Sequence, residues 1–206
     1  MSQNTDSAKP KRTAASLKTV FAPPLAVWLC CSLLIALGTV LKTMTFNITL
    51  GGVLLSRLGF HLLVVYLAAI LFGPFMGALT GVFTDIISML IFPTGGGYNP
   101  LYTLTFVVAG VCAWAVYRTL AVLNDTGRKW GWKHILRVFL TVSAVQAVFL
   151  FLNTLWIAIF SGSLGAYWTL LAGRCTSLVF YLPVFTVLLC ILVPVLKPLS
   201  CRLYRH

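Results

Sequence analysis

Six stretches of almost unbroken apolar residues alternate with short polar breaks along this chain. Each is close to the roughly 20 residues a helix needs to cross a bilayer. The first runs from about Ala22 to Leu41, with Pro23 and Pro24 acceptable in a first helical turn. A short segment, Lys42 to Gly52, separates it from a second span at about Val53 to Phe72. Gly73–Pro74 interrupts the pattern, and a third span follows at once to about Phe92. Pro93 to Pro100 is dense in turn residues. A fourth span runs from Pro100 to near Arg118, a polar segment from Thr119 to His134, and a fifth span from about Ile135 to Phe160. Ser161 to Gly165 reads as a turn. The sixth span runs from about Tyr167 to Val195 and is expected to kink at Pro183. The pattern predicts an all-α integral membrane bundle of six transmembrane helices. A polar N-terminal tail (1–20) precedes the membrane domain (21–196), and a basic C-terminal tail (197–206) follows it.

Composition agrees. The chain is 60% hydrophobic and 9% charged, against about 25% charged residues in soluble domains, and its mean hydropathy is +0.98. The net charge of +12 does not point to nucleic acid, because the basic residues flank apolar runs and form no patch interleaved with aromatics. That distribution suits topology signals and contact with anionic membrane lipids. With the N-terminus inside, Lys9, Lys11, Arg12, Lys18, Arg118, Arg128, Lys129, Lys133, Arg137, Lys197, Arg202 and Arg205 share the inner side, and Lys42 alone falls in an outer segment. This asymmetry predicts both termini cytoplasmic. The first span is too long for a signal-peptide core and no A-x-A site follows it, so it reads as a retained helix. The six cysteines show neither zinc-ligand nor C-x-x-C spacing. No metal or cofactor is implied, and no hydrolase, zincin or P-loop motif appears.

The chemistry sits in three charges inside apolar spans. Asp85 is one of only three acidic residues, and a carboxylate at bilayer depth costs roughly 2.5–3.5 kcal/mol even on mild scales. Arg57 and Arg174 are the other two. Gly73, Gly77, Gly81 and Asp85 recur every fourth residue, so Asp85 shares a face on which glycines allow close helix approach. Arg57, Asp85, Arg174, Asn153 and Trp156 all fall in the outer half of the predicted bundle, beside the outer loop that carries Thr94, Gly95, Gly96 and Tyr98. Two readings are open for Asp85: a counter-ion for Arg57 or Arg174, or an acceptor for paired donors on a ligand such as a 2-amino-pyrimidinone edge. The arginines suit ligand carboxylates or phosphates. His61, four residues after Arg57, reads as a structural histidine, and Trp168 as a membrane-interface anchor or a stacking surface.

Residues 71–85, Leu-Phe-Gly-Pro-Phe-Met-Gly-Ala-Leu-Thr-Gly-Val-Phe-Thr-Asp, with Phe92-Pro93-Thr94-Gly95-Gly96, resemble the substrate-binding (S) components of energy-coupling factor transporters. Leu34 to Leu41, Leu152-Asn153-Thr154-Leu155-Trp156, and Arg174 with Tyr181-Leu182-Pro183 agree with it. The Phe-Pro-Thr-Gly-Gly and Leu-Asn-Thr-Leu-Trp segments are most similar to the folate-specific branch. The start of the fourth span, Tyr98-Asn99-Pro100-Leu101-Tyr102-Thr103, departs from that branch's pattern.

The resemblance implies a vitamin-capture subunit in the cell membrane of a prokaryote. It would bind folate from outside and have no enzymatic activity of its own. Its partners would be a transmembrane scaffold protein and two cytoplasmic ATP-binding subunits. Arg57, Asp85, Asn153, Trp156 and Arg174 would contact substrate, with Thr94, Gly95, Gly96 and Tyr98 in a lid. Ser32 and Ala36 stand where the family carries small residues that touch the scaffold. The alternatives are an S component for another vitamin or small heterocycle, and a non-transport membrane assembly protein.

Overall fold

The computed structural model of the chain describes residues 24–44, 46–50, 53–92, 100–123, 131–160, 165 and 167–203. The described elements, in chain order, are α1 (Leu25–Thr43), the strands β1 (Phe46–Leu50) and β2 (Val53–Leu58), α2 (His61–Phe72), α3 (Pro74–Ile91), α4 (Pro100–Leu123), α5 (Trp132–Phe160) and α6 (Tyr167–Leu203). All the described helices except α2 are long and apolar enough to cross a membrane. Their outward faces need lipid: along α1, Leu25, Leu29, Leu33, Leu37 and Val40 are all at least half exposed. This is a helical, multi-pass membrane protein.

The second expected span is the main correction. It begins as a strand. Val53–Leu58 pairs antiparallel with Phe46–Leu50, and α2 starts only at His61. Two signals in the sequence favour the hairpin. Between the paired Leu50 and Val53 the sequence is Gly51–Gly52, a composition that two-residue hairpins favour. The first strand, Phe-Asn-Ile-Thr-Leu, alternates apolar and polar residues with a period of two. A register shift after Ile48 accommodates one extra residue in β2. Hydropathy alone merged this strand with the following helix. The result is an α2 of 12 residues, rising about 18 Å against a hydrocarbon thickness of about 30 Å.

α2 is nonetheless the centre of the bundle. Every residue from Leu62 to Ala69 is buried, as expected of a helix that is apolar all round. Leu62, Leu63, Tyr66, Leu67 and Ala69 share one cluster with Phe106, Ala109 and Ala113 of α4, Val138, Val142 and Val145 of α5, and Phe185, Leu189 and Val193 of α6.

The glycine stripe of α3 packs as the spacing predicts. A Cβ on Gly77 would lie 2.5 Å from the Cβ of Ala69 on α2, and one on Gly110 of α4 would lie 2.7 Å from the backbone of Gly77. One turn on, a Cβ on Gly81 would meet Phe106 at 3.0 Å. Gly73 joins α2 to α3 at φ 104°, a conformation other residues rarely adopt. The helix ends also differ from expectation. α1 runs to Thr43, α4 to Leu123, and α6 to Leu203, so residues 197–203 are helical, with Pro194 and Pro198 inside the helix.

Gly77→Ala and Gly110→Ala are expected to destabilise the protein by about 1–3 kcal/mol each through overpacking. Gly173→Ala, where an added Cβ meets nothing within 4 Å, is expected to be neutral or stabilising. Thermal unfolding midpoints in detergent check the contrast.

Candidate functional site

Among the described residues, the buried carboxylate of Asp85 has two partners. Its Oδ1 forms an ion pair with Lys42 at the end of α1. Its Oδ2 accepts a hydrogen bond of 2.6 Å from the Thr103 hydroxyl in the first turn of α4. Asp85 is 5% exposed, so the charge is compensated where burial makes an unpaired carboxylate costly. Among the described residues the counter-ion is Lys42 and not Arg174, and the Arg57 side chain lies outside them.

Two physical features set Lys42 against Asp85. α1 continues two residues beyond its expected end and so carries Lys42 as helix. Gly38 also brings α1 close to α3: a Cβ there would lie 3.0 Å from Thr84 Oγ1. One turn after Gly38 is Lys42, and one residue after Thr84 is Asp85. The close approach therefore sets the two charges opposite each other.

Around the pair lies an aromatic floor. The Lys42 ammonium sits 5.6 Å from the centre of the Phe106 ring. Phe106 meets His61 of α2 edge-on at 5.3 Å and Phe149 of α5 at 5.4 Å. Both ring nitrogens of His61 are buried without a hydrogen-bond partner among the described residues, as is Oδ1 of Asn153 on α5. One turn beyond Asn153, the Trp156 indole N–H donates to Thr105 Oγ1 of α4 at 3.1 Å. Five helices thus bring a compensated carboxylate, an ammonium, an imidazole, an amide and aromatic faces to the end of the bundle where the hairpin enters α2. Sequence reasoning counted Lys42 only as a loop charge and gave Thr103 no role in the site. The signal available was a lone lysine directly after an apolar run, on the side of the membrane nearest Asp85.

The other expected site residues are distributed as follows. Arg174 is half-buried on α6, within electrostatic reach of Tyr102 on α4. Arg57 lies on β2, its backbone opposite Asn47, so it does not share a helical face with His61. Thr94, Gly95, Gly96 and Tyr98 lie outside the described residues. Ser32 and Ala36 are exposed on the outward face of α1, and the Ser32 hydroxyl is turned into its own helix by a 2.8 Å bond to the Leu29 carbonyl. Trp168 is 71% exposed and meets Tyr167 edge-on, which is the interface-anchor reading. The junction of β2 with α2 is tied to α6 by the buried Gly59 N–H donating to the Tyr181 hydroxyl at 3.0 Å.

Among curated proteins, the chain is similar to a folate transporter, FolT, of Clostridium novyi (strain NT). The two are 31% identical over 107 residues, which is 52% of this chain and 55% of that relative. The chain therefore aligns with about half the length of the curated relative it matches. No family model matches the sequence.

Removing Lys42 as Lys42→Met leaves Asp85 buried without its counter-charge and is expected to cost about 3–5 kcal/mol. Thr103→Val removes a charge-assisted hydrogen bond and is expected to cost about 1.5–3 kcal/mol. A Lys42→Met/Asp85→Asn protein should lose less than the sum of its single variants. Additive unfolding midpoints would show that the two charges are not coupled.

Proposed function

We propose that this protein is the substrate-binding membrane subunit of an energy-coupling-factor type vitamin importer and that it captures folate from the outer side of the cell membrane. Both termini lie in the cytoplasm, a scaffold protein contacts the Ser32–Ala36 face of α1, and separate ATP-binding subunits supply the energy. The observation that carries the reading is the placement of Asp85, Lys42, His61, Asn153 and Trp156 at one end of the bundle, in a chain similar to a folate transporter.

The chemistry fits a ligand with an amino-heterocycle and an anionic tail. Asp85 accepts from the pterin edge. Asn153 and His61 supply polar atoms, unpartnered among the described residues, that a ring with donors and acceptors satisfies. Trp156 offers a stacking surface. Arg174, with Arg57 on the hairpin, meets the carboxylates of the tail. The segment with Thr94, Gly95, Gly96 and Tyr98 closes over the ligand. Because Lys42 already holds Asp85, folate would enter by sharing or displacing that ammonium. Lys42 then either follows the ligand carboxylates or stays on Asp85 and leaves Oδ2 to the pterin.

The ion pair is also what favours a second reading, a membrane assembly protein whose buried charges pair only with each other. Tryptophan fluorescence of the purified protein, titrated with folate, thiamine, riboflavin and biotin, separates the two. Folate alone is expected to quench saturably, with affinity at least tenfold weaker in Asp85→Asn and in Arg174→Gln. Response to another of the four would reassign the substrate. No response to any would favour the assembly protein, and unchanged folate affinity in both variants would remove these residues from the site.

A further inference from the structure

The opposite end of the bundle carries a second charged cluster, unrelated to Asp85. Arg137, in the second turn of α5, lays its guanidinium over the Tyr117 ring of α4 at 5.0 Å. Its Nε is buried and has no hydrogen-bond partner among the described residues. One turn earlier, His134 hydrogen-bonds to the backbone of Cys190 on α6. Cys190 is four residues before Pro194, which has no N–H, so its carbonyl lacks the usual helical donor. That bond commits one ring nitrogen, and Nε2 is left buried and unpartnered among the described residues. Arg137 and Lys197 both act electrostatically on His134, so basic side chains of α5 and α6 lie within electrostatic reach of it.

Among the described residues no carboxylate pairs with this cluster, and Asp85 is engaged at the other end of the bundle. The chain as a whole carries 15 lysines and arginines against 3 acidic residues, a net charge of +12. Beneath the cluster the packing is apolar, with Tyr117, Val138 and Val193 in the main core. Beside it on α5, Ile135, Leu136, Phe139 and Leu140 are exposed. Positive groups above an exposed apolar flank fit a molecule with an anionic head and acyl chains. A small free anion would use only the head of such a site.

We propose that Arg137, His134 and Lys197, at the junction of α4, α5 and α6, bind the phosphate of an anionic phospholipid whose chains lie along the exposed face of α5. Arg137 has its guanidinium over the Tyr117 ring, and a planar guanidinium suits phosphate oxygens. The lipid supplies the counter-charge that the described residues do not.

Native mass spectrometry of the delipidated full chain, with added phosphatidylglycerol, phosphatidylcholine or inorganic phosphate, tests the assignment. Phosphatidylglycerol is expected to be retained at least tenfold more strongly than phosphatidylcholine. Arg137→Gln and Lys197→Gln are each expected to weaken retention about fivefold, and Arg137→Lys less than Arg137→Gln. Equal retention of the two lipids, or unchanged phosphatidylglycerol retention in both glutamine variants, would overturn the site. Inorganic phosphate that suppresses phosphatidylglycerol retention at equal concentration would overturn the lipid as its occupant. If Arg137→Gln does not fold, loss of phosphatidylglycerol retention by the wild-type protein in high salt, with phosphatidylcholine unaffected, replaces that arm.

Discussion

The burial of one carboxylate constrains the rest of this structure. A chain with so few acidic residues places Asp85 in the packed interior of a membrane bundle, where it must be compensated. Its compensation comes from the ends of two neighbouring helices, Lys42 of α1 and Thr103 of α4. The backbone arrangement follows from that demand. Gly38 lets α1 reach α3, Gly81 lets Phe106 of α4 lie against α3, and Gly77 with Gly110 draws the same helices together farther down. Small residues at these crossings do the work that hydrophobic burial does in a soluble core, because lipid is as apolar as the side chains it touches.

The same region tolerates irregular backbone for a physical reason. α2 is too short to span hydrocarbon by itself, and the chain before it is a hairpin. Non-helical backbone at membrane depth persists only where protein or a water-lined cavity satisfies its polar groups. The Gly59 N–H on the Tyr181 hydroxyl is one such satisfied group. A hairpin anchored there, next to a compensated charge and unpartnered polar side chains, is the arrangement expected where a polar ligand is captured at one face of a bundle.

Much of the fold was legible in the sequence because hydropathy over a span of about 20 residues is a strong signal. The glycine-every-fourth-residue stripe correctly placed Asp85 on a packed face. The hairpin was harder to see, because Val53 to Leu58 is as apolar as the helix that follows it. The pairing of Asp85 with Lys42 was not legible for a related reason. Lys42 stands just past the expected end of the first span, where a lysine reads as an orientation signal. Helix ends shift by a residue or two, and two residues at the end of α1 bring Lys42 to the acid. Asn153 and Trp156 were placed near Asp85 by span depth alone, and α5 does bring them to the same end.

The central claim is that Asp85 faces the ligand as well as Lys42. The chain has three aspartates and no glutamate, so labelling aspartate carboxyls with carbon-13 gives an infrared spectrum simple enough to assign, with Asp85→Asn identifying the band. The account predicts that adding unlabelled folate shifts the Asp85 carboxylate stretch while the other two bands stay in place. Saturating folate binding with an unshifted Asp85 band would contradict it and leave the ion pair with Lys42 as purely structural.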